Sequence, residues 1–421
     1  MPELNAAELL VALGYAIDMH PGGCYYHGWR VALVAHRLAT DIAPDIQRDV
    51  FFAGLLHDAG AVGCRKHITH LRSACEHLDD PCMCSHAQRG AALLNWLPGM
   101  GTAALYVASH HECWDGSGYP DGISGDSIPV GSLLLSLASV ADIAGCFRPG
   151  LDAAAAVRPL AAMAGRAWPR EVWDAFARFA DDAAFLRELA DPASIARLVA
   201  ERARQLKLPS EMENGQGVER TLHLFAALVD LKDPSTAGHS LRTAQRAQAL
   251  AGFMELTEDE AHLAYRAGLV HDCGRLGVDT DLINKPGRLS EHEMDIVRGH
   301  ARMTIDALGC LPDSPGMTEL GTIAGHDHER FDGNGYPDGL AGRSIPLLSR
   351  ILSVVDAFDS MVSPADYRLL TPRGAIVRIQ QGAGTQFDPD VVDYAVNAFN
   401  RGVIHERRNL ATRSMEYKPA A

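Results

Sequence analysis

The chain has 421 residues, enough for two domains with full cores, and a formal net charge of −15. That balance argues against a broad DNA- or RNA-binding surface, which needs a basic footprint. It leaves room for a small anionic ligand where bound cations invert the local field. No apolar run is long enough to span a bilayer, and MPELNAAELL lacks the pattern of a secretory signal, so a cytoplasmic location is expected. Nine cysteines, seven of them before residue 150, form no regular framework and fit free thiols in a reducing compartment.

Taken in chain order, predicted helices dominate and strand-like alternation is scarce. His27 precedes the amphipathic stretch GWRVALVAHRLA, and His57 and Asp58 end the apolar run FFAGLLHD. Residues 64–86, with Cys64, Cys75, Cys82 and Cys84 among histidines, lack a paired CxxC. A plain insertion is expected there, ahead of a separate zinc site or a redox-responsive thiol loop. His86 opens HAQRGAALLNWL, His110 and His111 precede the loop DGSGYPDG, and Asp142 ends LLLSLASVAD. The Ala-rich stretch 151–204 has helical spacing, including DAAAAVRPLAAMAGRA.

The same plan then recurs. His239 precedes SLRTAQRAQALA, His271 and Asp272 end AYRAGLVHD, and His300 opens HARMTIDALG. His328 precedes DGNGYPDG, and Asp356 ends RILSVVD. The pairs His27/His239, His57/His271, His86/His300, His111/His328 and Asp142/Asp356 are offset by 212, 214, 214, 217 and 214 positions. This is a tandem duplication. Residues 1–207 form one domain, the polar stretch 208–217 (LPSEMENGQG) a linker, and 218–421 the second domain. Imidazole and carboxylate drawn from five segments suit Fe, Mn, Zn or Ni better than Mg or Ca alone. They are too many for one closed tetrahedral site and suit two metals sharing an Asp, an arrangement that clamps a phosphodiester and activates water.

These motifs resemble the HD-GYP family, a branch of the HD-domain metal-dependent phosphohydrolases, once per half. The resemblance extends to RILSVVDAFDSM and GTQFDPDVV in the second half. It implies an all-α fold of two tandem HD-domain helical bundles and two divalent ions per active site, Fe or Mn foremost, with Zn, Ni and Mg compatible. It also implies hydrolysis of cyclic di-GMP to linear pGpG or GMP. The implied metal ligands are His27, His57, Asp58, His86, His110, His111 and Asp142 in the first half. In the second they are His239, His271, Asp272, His300, Asp327, His328 and Asp356. Asp327 stands where the first half has His110, with His326 just before it. Three-metal members carry a Glu four residues before the first His; Gly23 and Ser235 stand there, so two metals are expected.

Asp58, Asp272 and Arg275 are the implied catalytic groups. Tyr119, Arg148, Arg275, Tyr336, Arg350 and Arg368 are the implied substrate contacts. The family's HD-x-GK lysine is replaced by Ala61 and by Arg275, whose planar fork is no equivalent of an ammonium. Ala365 stands where an Arg is common, ahead of Tyr367 and Arg368, and Arg350 falls opposite Ser136. On this reading the first half has the fuller ligand set and the second the better substrate cations. Glu112 and Glu329 are placed to orient a ligand histidine, and the two tyrosines either contact substrate or shape the loop. Three alternatives stay open: a partly degenerate adaptor binding nucleotide or a protein partner, an enzyme for cyclic GMP-AMP, and an HD nucleotidase. Oligomerisation is left open.

Overall fold

The computed structural model describes residues 3–19, 25–64, 80–147, 153–179, 182–363 and 370–404. Among them there is no strand, only the isolated bridges Ala164–Trp168 and Ala383–Phe387. No helix of the described residues is long and apolar enough to cross a membrane.

Among the described residues, the first bundle contains α1 (Ala6–Asp18), α2 (His27–Ile42), α3 (Gln47–Leu56), α4 (His86–Leu94), α5 (Gly101–Ala108) and α6 (Val130–Ile143). Their counterparts are α7 (Gly215–Lys232), α8 (His239–Phe253), α9 (Glu258–Val270), α11 (His300–Leu308), α12 (Pro315–Gly325) and α13 (Leu347–Val362). In the second half α10 (Glu291–Arg298) precedes α11, where the described part of the first half has the shorter helix Pro81–Cys84. Local sequence sets several starts. Asn214 caps α7, and Thr257 with Glu260, then Ser290 with Glu293, form capping boxes at α9 and α10. Helices α2 and α3 cross closely because Gly54 has no side chain: a Cβ there would lie 2.6 Å from Ala32 Cα. Gly268 repeats this against Ala244 Cα at 2.5 Å.

The two bundles share one apolar core, which runs from Leu4 to Ile404. Leu9, Leu10 and Leu13 of α1 are fully buried, and α1 packs on α7, α11 and the helix Pro192–Gln205. Arg204 of that helix pairs with Glu8 at 2.9 Å and donates to the Pro312 carbonyl at 2.9 Å, joining the halves. Residues 208–217 are therefore no loose tether: Leu208 and Met212 are buried.

Two sequence expectations are corrected. The run 152–167 is not one helix; the helix ends at Ala161, and Gly165 (φ 84°) turns the chain back. That turn receives the first glycine loop, since Trp114 N–H and Asp115 N–H donate to Ala167 and Arg166 carbonyls. Phe331 and Asp332 bond Gln386 and Thr385 in the same way. GTQFDPDVV thus has a first-half counterpart that its different side chains hide. Second, Cys64 and Cys82 are joined by a disulfide, so they are neither free thiols nor joint ligands of a separate zinc site. Residues 65–79, with Cys75, lie outside the described residues.

Candidate metal centres and active-site cleft

Each cluster is built from helix ends. His57 and His271 terminate α3 and α9, each followed by its aspartate; His27, His86, His239 and His300 open their helices. The ring orientations are fixed from behind. The Nδ1–H groups of His57, His86 and His110 donate to the carbonyls of Gly54, Met83 and Val107. His271 and His300 do the same to Gly268 and Val297 at 2.9 and 2.6 Å. A carbonyl can only accept, so each Nδ1 holds the proton and each Nε2 offers a lone pair inward.

In the first half, Asp58 Oδ2 lies 3.6 Å from His27 Nε2 and 3.3 Å from His57 Nε2. Asp58 Oδ1 lies 3.7 Å from His86 Nε2. His86, His110 and His111 converge, with Nε2 of His111 3.0 Å and of His110 3.4 Å from His86 Nε2. In the second half, Asp272 Oδ2 lies 3.6 Å from His271 Nε2, and Asp272 Oδ1 lies 3.5 Å from His300 Nε2. Asp356 Oδ1 is 2.9 Å from His239 Nε2 and 3.8 Å from His271 Nε2, and His328 Nε2 is 3.2 Å from His300 Nε2. Asp327 joins His328 and Asp356 in a further group.

These donors fit metal cations. Both carboxylate oxygens of Asp58, Asp272 and Asp327 are buried without a hydrogen-bond partner, as are Nε2 of His57 and His271. So many uncompensated polar atoms in one place are costly unless a cation gathers them. Burial opposes ionisation of Asp58, yet His57, His27 and His86 hold its carboxyl well below the usual range. Burial does the same at Asp272, and Arg275, His271 and His300 overcome it. Asp327 goes the other way: burial first, then the carboxylates of Asp356 and Asp272, raise it.

Asp142 is not in the cluster. Its Oδ2 accepts from His27 Nδ1 at 2.7 Å and it pairs with Arg30, behind the ring. Its counterpart is Asp359, which accepts from His239 Nδ1 at 2.7 Å and pairs with Arg242 and Arg246. The register is fixed independently: Ser132 and Ser349 hydroxyls donate to the carbonyls of Tyr106 and Ile323, an offset of 217. At that offset Ser139 stands opposite Asp356, and Ser139 Oγ lies 3.4 Å from His27 Nε2. The first half therefore carries a hydroxyl where the second has a carboxylate, reversing the expected order of ligand quality.

Other expected residues are placed as follows. Arg275 Nε is 2.9 Å from Asp272 Oδ1, off the line of a hydrogen bond, and its Nη1 is 3.5 Å from Asp233; it faces the carboxylates. Arg350 is taken up by Asp388 and the Ile345 carbonyl, tying α13 to the start of the helix Pro389–Asn400 rather than facing the cleft. Tyr119 is buried and stacks on His111 at 4.8 Å, whereas Tyr336 lies 5.0 Å from His328 and lines a cleft of about 760 Å³. That cleft also meets Asp356, Arg298, Arg302 and Arg330. Glu112 and Glu329 bind no histidine; their Oε1 atoms accept from Asp121 N–H and Asp338 N–H at 2.7 Å and hold the glycine loops. His326 turns away to Thr322 and Asp338. Gly23, Arg148, Ala365, Tyr367 and Arg368 lie outside the described residues. Asp359, Arg298 and Arg302 belong to no motif that marks them in the sequence, apart from the FDSM segment that contains Asp359.

A family model for the HD domain matches residues 15–169 and again 223–391. The chain belongs to the HD-domain family. Its two GYP loops place it in the HD-GYP branch. The 3'3'-cGAMP-specific phosphodiesterase 3 of Vibrio cholerae serotype O1 is 31% identical over 313 residues, 74% of this chain and 66% of that protein. The cyclic di-GMP phosphodiesterase response regulator RpfG of Xanthomonas campestris pv. campestris is 34% identical over 200 residues, 46% of this chain and 52% of the relative. This chain thus spans less than two thirds of the length of either curated relative. A crystal structure of a cyclic GMP-AMP-specific phosphodiesterase of V. cholerae superposes with a TM-score of 0.66. It covers 94% of this chain and 97% of its own at 24% identity, a likeness of fold.

Proposed function

We propose that the chain is a metal-dependent cyclic-dinucleotide phosphodiesterase that cleaves cyclic di-GMP to linear pGpG or GMP, with turnover in the second half. The observation that carries this is the orphaned, buried Asp272 carboxylate between two sets of inward-facing Nε2 atoms, beside a cleft of about 760 Å³. Two divalent ions, Fe or Mn foremost, would be held by His239, His271, Asp272 and Asp356 on one side and by Asp272, His300, Asp327 and His328 on the other. When bound, such a pair supplies Lewis acidity and an activated water. The protein's own part is to fix the ligands. Asp359 orients His239, the carbonyls of Gly268 and Val297 orient His271 and His300, and Arg275 offsets the charge of Asp272. Tyr336 walls the cleft next to His328.

The first half keeps the His-Asp pair but has Ser139, Ala61 and a buried Tyr119, which supports a structural or regulatory role there. A second substrate reading, 3'3'-cGAMP, is favoured by the relative aligned over 74% of this chain, whose name specifies that substrate. The test is chromatographic detection of linear product from each cyclic dinucleotide, using anaerobically purified protein loaded with iron or manganese. Linear product from cyclic di-GMP supports the proposal, and product from 3'3'-cGAMP alone selects the second reading. No product from either, with bound nucleotide detected, makes the chain an adaptor.

A further inference from the structure

The second-half cleft has a cationic wall of Arg298, Arg302 and Arg330. Arg298 ends α10 and Arg302 lies in the first turns of α11, so the two flank His300 one turn apart. The Arg298 guanidinium carbon lies 5.9 Å from the Tyr336 ring centroid, and that ring is 5.0 Å from the His328 ring. A permanent cation therefore stands one aromatic ring away from the candidate metal ligands. Arg298 Nη1 meets Asp295 Oδ1 at 2.9 Å, but their side chains keep 51% and 67% exposure. Such a solvent-facing pair is worth little and exchanges readily for a phosphate, which an arginine fork grips in two places. Arg302 is committed elsewhere. It pairs with Asp338 of the glycine loop, whose other oxygen lies 2.9 Å from His326 Nε2. At the register set by His86 and His300, the first half has Cys84 and Gln88 at these two positions.

We propose that Arg298 determines substrate specificity by binding the phosphate of a cyclic dinucleotide that is remote from the metal cluster, with Tyr336 spacing the two phosphate positions. Arg302 is a positioning residue, holding the loop that carries Tyr336. This rests on the phosphodiesterase reading above. A simple phosphodiester has one phosphate and cannot use both places; a cyclic dinucleotide has two and can.

The test uses the full, metal-loaded chain and the variants Arg298→Ala and Arg298→Lys. Values of kcat and KM are compared for cyclic di-GMP and for bis(4-nitrophenyl) phosphate, which carries a single phosphodiester. In Arg298→Ala, KM for cyclic di-GMP is expected to rise about tenfold more than KM for the single diester, as befits loss of one charge-assisted contact. The lysine variant should recover part of that rise, and the salt dependence of KM should weaken with the charge removed. Equal changes for both substrates, or none, in an otherwise active protein overturn the role of Arg298 and leave the phosphodiesterase reading standing. Wild-type protein that cleaves the single diester but no cyclic dinucleotide overturns both.

Discussion

Gly274→Ala is the most economical perturbation of the proposed active centre. Gly274 lies two residues beyond Asp272, and a Cβ there would lie 2.0 Å from the His300 carbonyl oxygen and 2.7 Å from Thr304 N. Real Cβ contacts essentially never fall under 3.0 Å, so the α11 backbone carrying His300 must retreat by about 1 Å. Overpacking of this kind costs about 1–3 kcal/mol. The same shift moves His300 Nε2 relative to Asp272, and misplacement on that scale costs about 100-fold in turnover. Gly60 offers the control: its Cβ would lie 2.0 Å from the His86 carbonyl oxygen, in the half assigned no turnover. Thermal unfolding and steady-state hydrolysis of cyclic di-GMP on both variants should show similar stability losses and an activity loss in Gly274→Ala alone. Full activity in a folded Gly274→Ala variant would refute the close approach as a determinant of ligand geometry. Equal activity losses in both variants would refute the assignment to one half.

Further expectations concern the ligand shells. Asp359→Asn strips the charge that Arg242 and Arg246 share and weakens the bond to His239. Because those arginine side chains keep 34% and 19% exposure, the loss should be about 2–3 kcal/mol, below that of a fully buried pair. Metal affinity should drop about 10–100-fold, read by competition with a chelating dye. Ser139→Asp supplies the carboxylate missing from the first half; in a His271→Ala/Asp272→Ala background it should raise bound metal by about one equivalent in elemental analysis. Stability of the chelator-treated protein should also fall with rising pH. Burial opposes protonation of His239, but Asp356 and Asp359 raise its pKa to about 10, above the 6.5 of the unfolded chain. That contribution is fully present below about pH 6.5 and is lost as pH rises towards 10. Melting curves across that window check it, and added metal, which displaces the proton, should stabilise increasingly with pH.

Much of this architecture was legible in the sequence because its signals are local. A His-Asp pair ending an apolar helix, or a histidine opening the next, keeps its meaning wherever the helix goes. Ser139 shows where such reading stops. SVAD and SVVD look alike at an offset of 214, but His300 to His328 spans three residues more than His86 to His111. The downstream helix is accordingly registered at 217, as the Ser132 and Ser349 hydrogen bonds show. Asp142 then falls behind His27, and the serine comes forward. Arg350 failed for a different reason: its partner Asp388 is 38 positions away and only the fold brings it close. Arg298 carried no motif at all, and its placement over Tyr336 depends on how α10 meets the glycine loop.

On the proposed function, two similar metal-type centres divide their labour, with turnover in the second. That division is tested most directly by measuring linear product from cyclic di-GMP with metal-loaded His57→Ala/Asp58→Ala beside His271→Ala/Asp272→Ala. The second variant is expected to lose all turnover while the first, if folded by circular dichroism, retains it. Turnover that survives in the second variant and vanishes in the first would contradict that division.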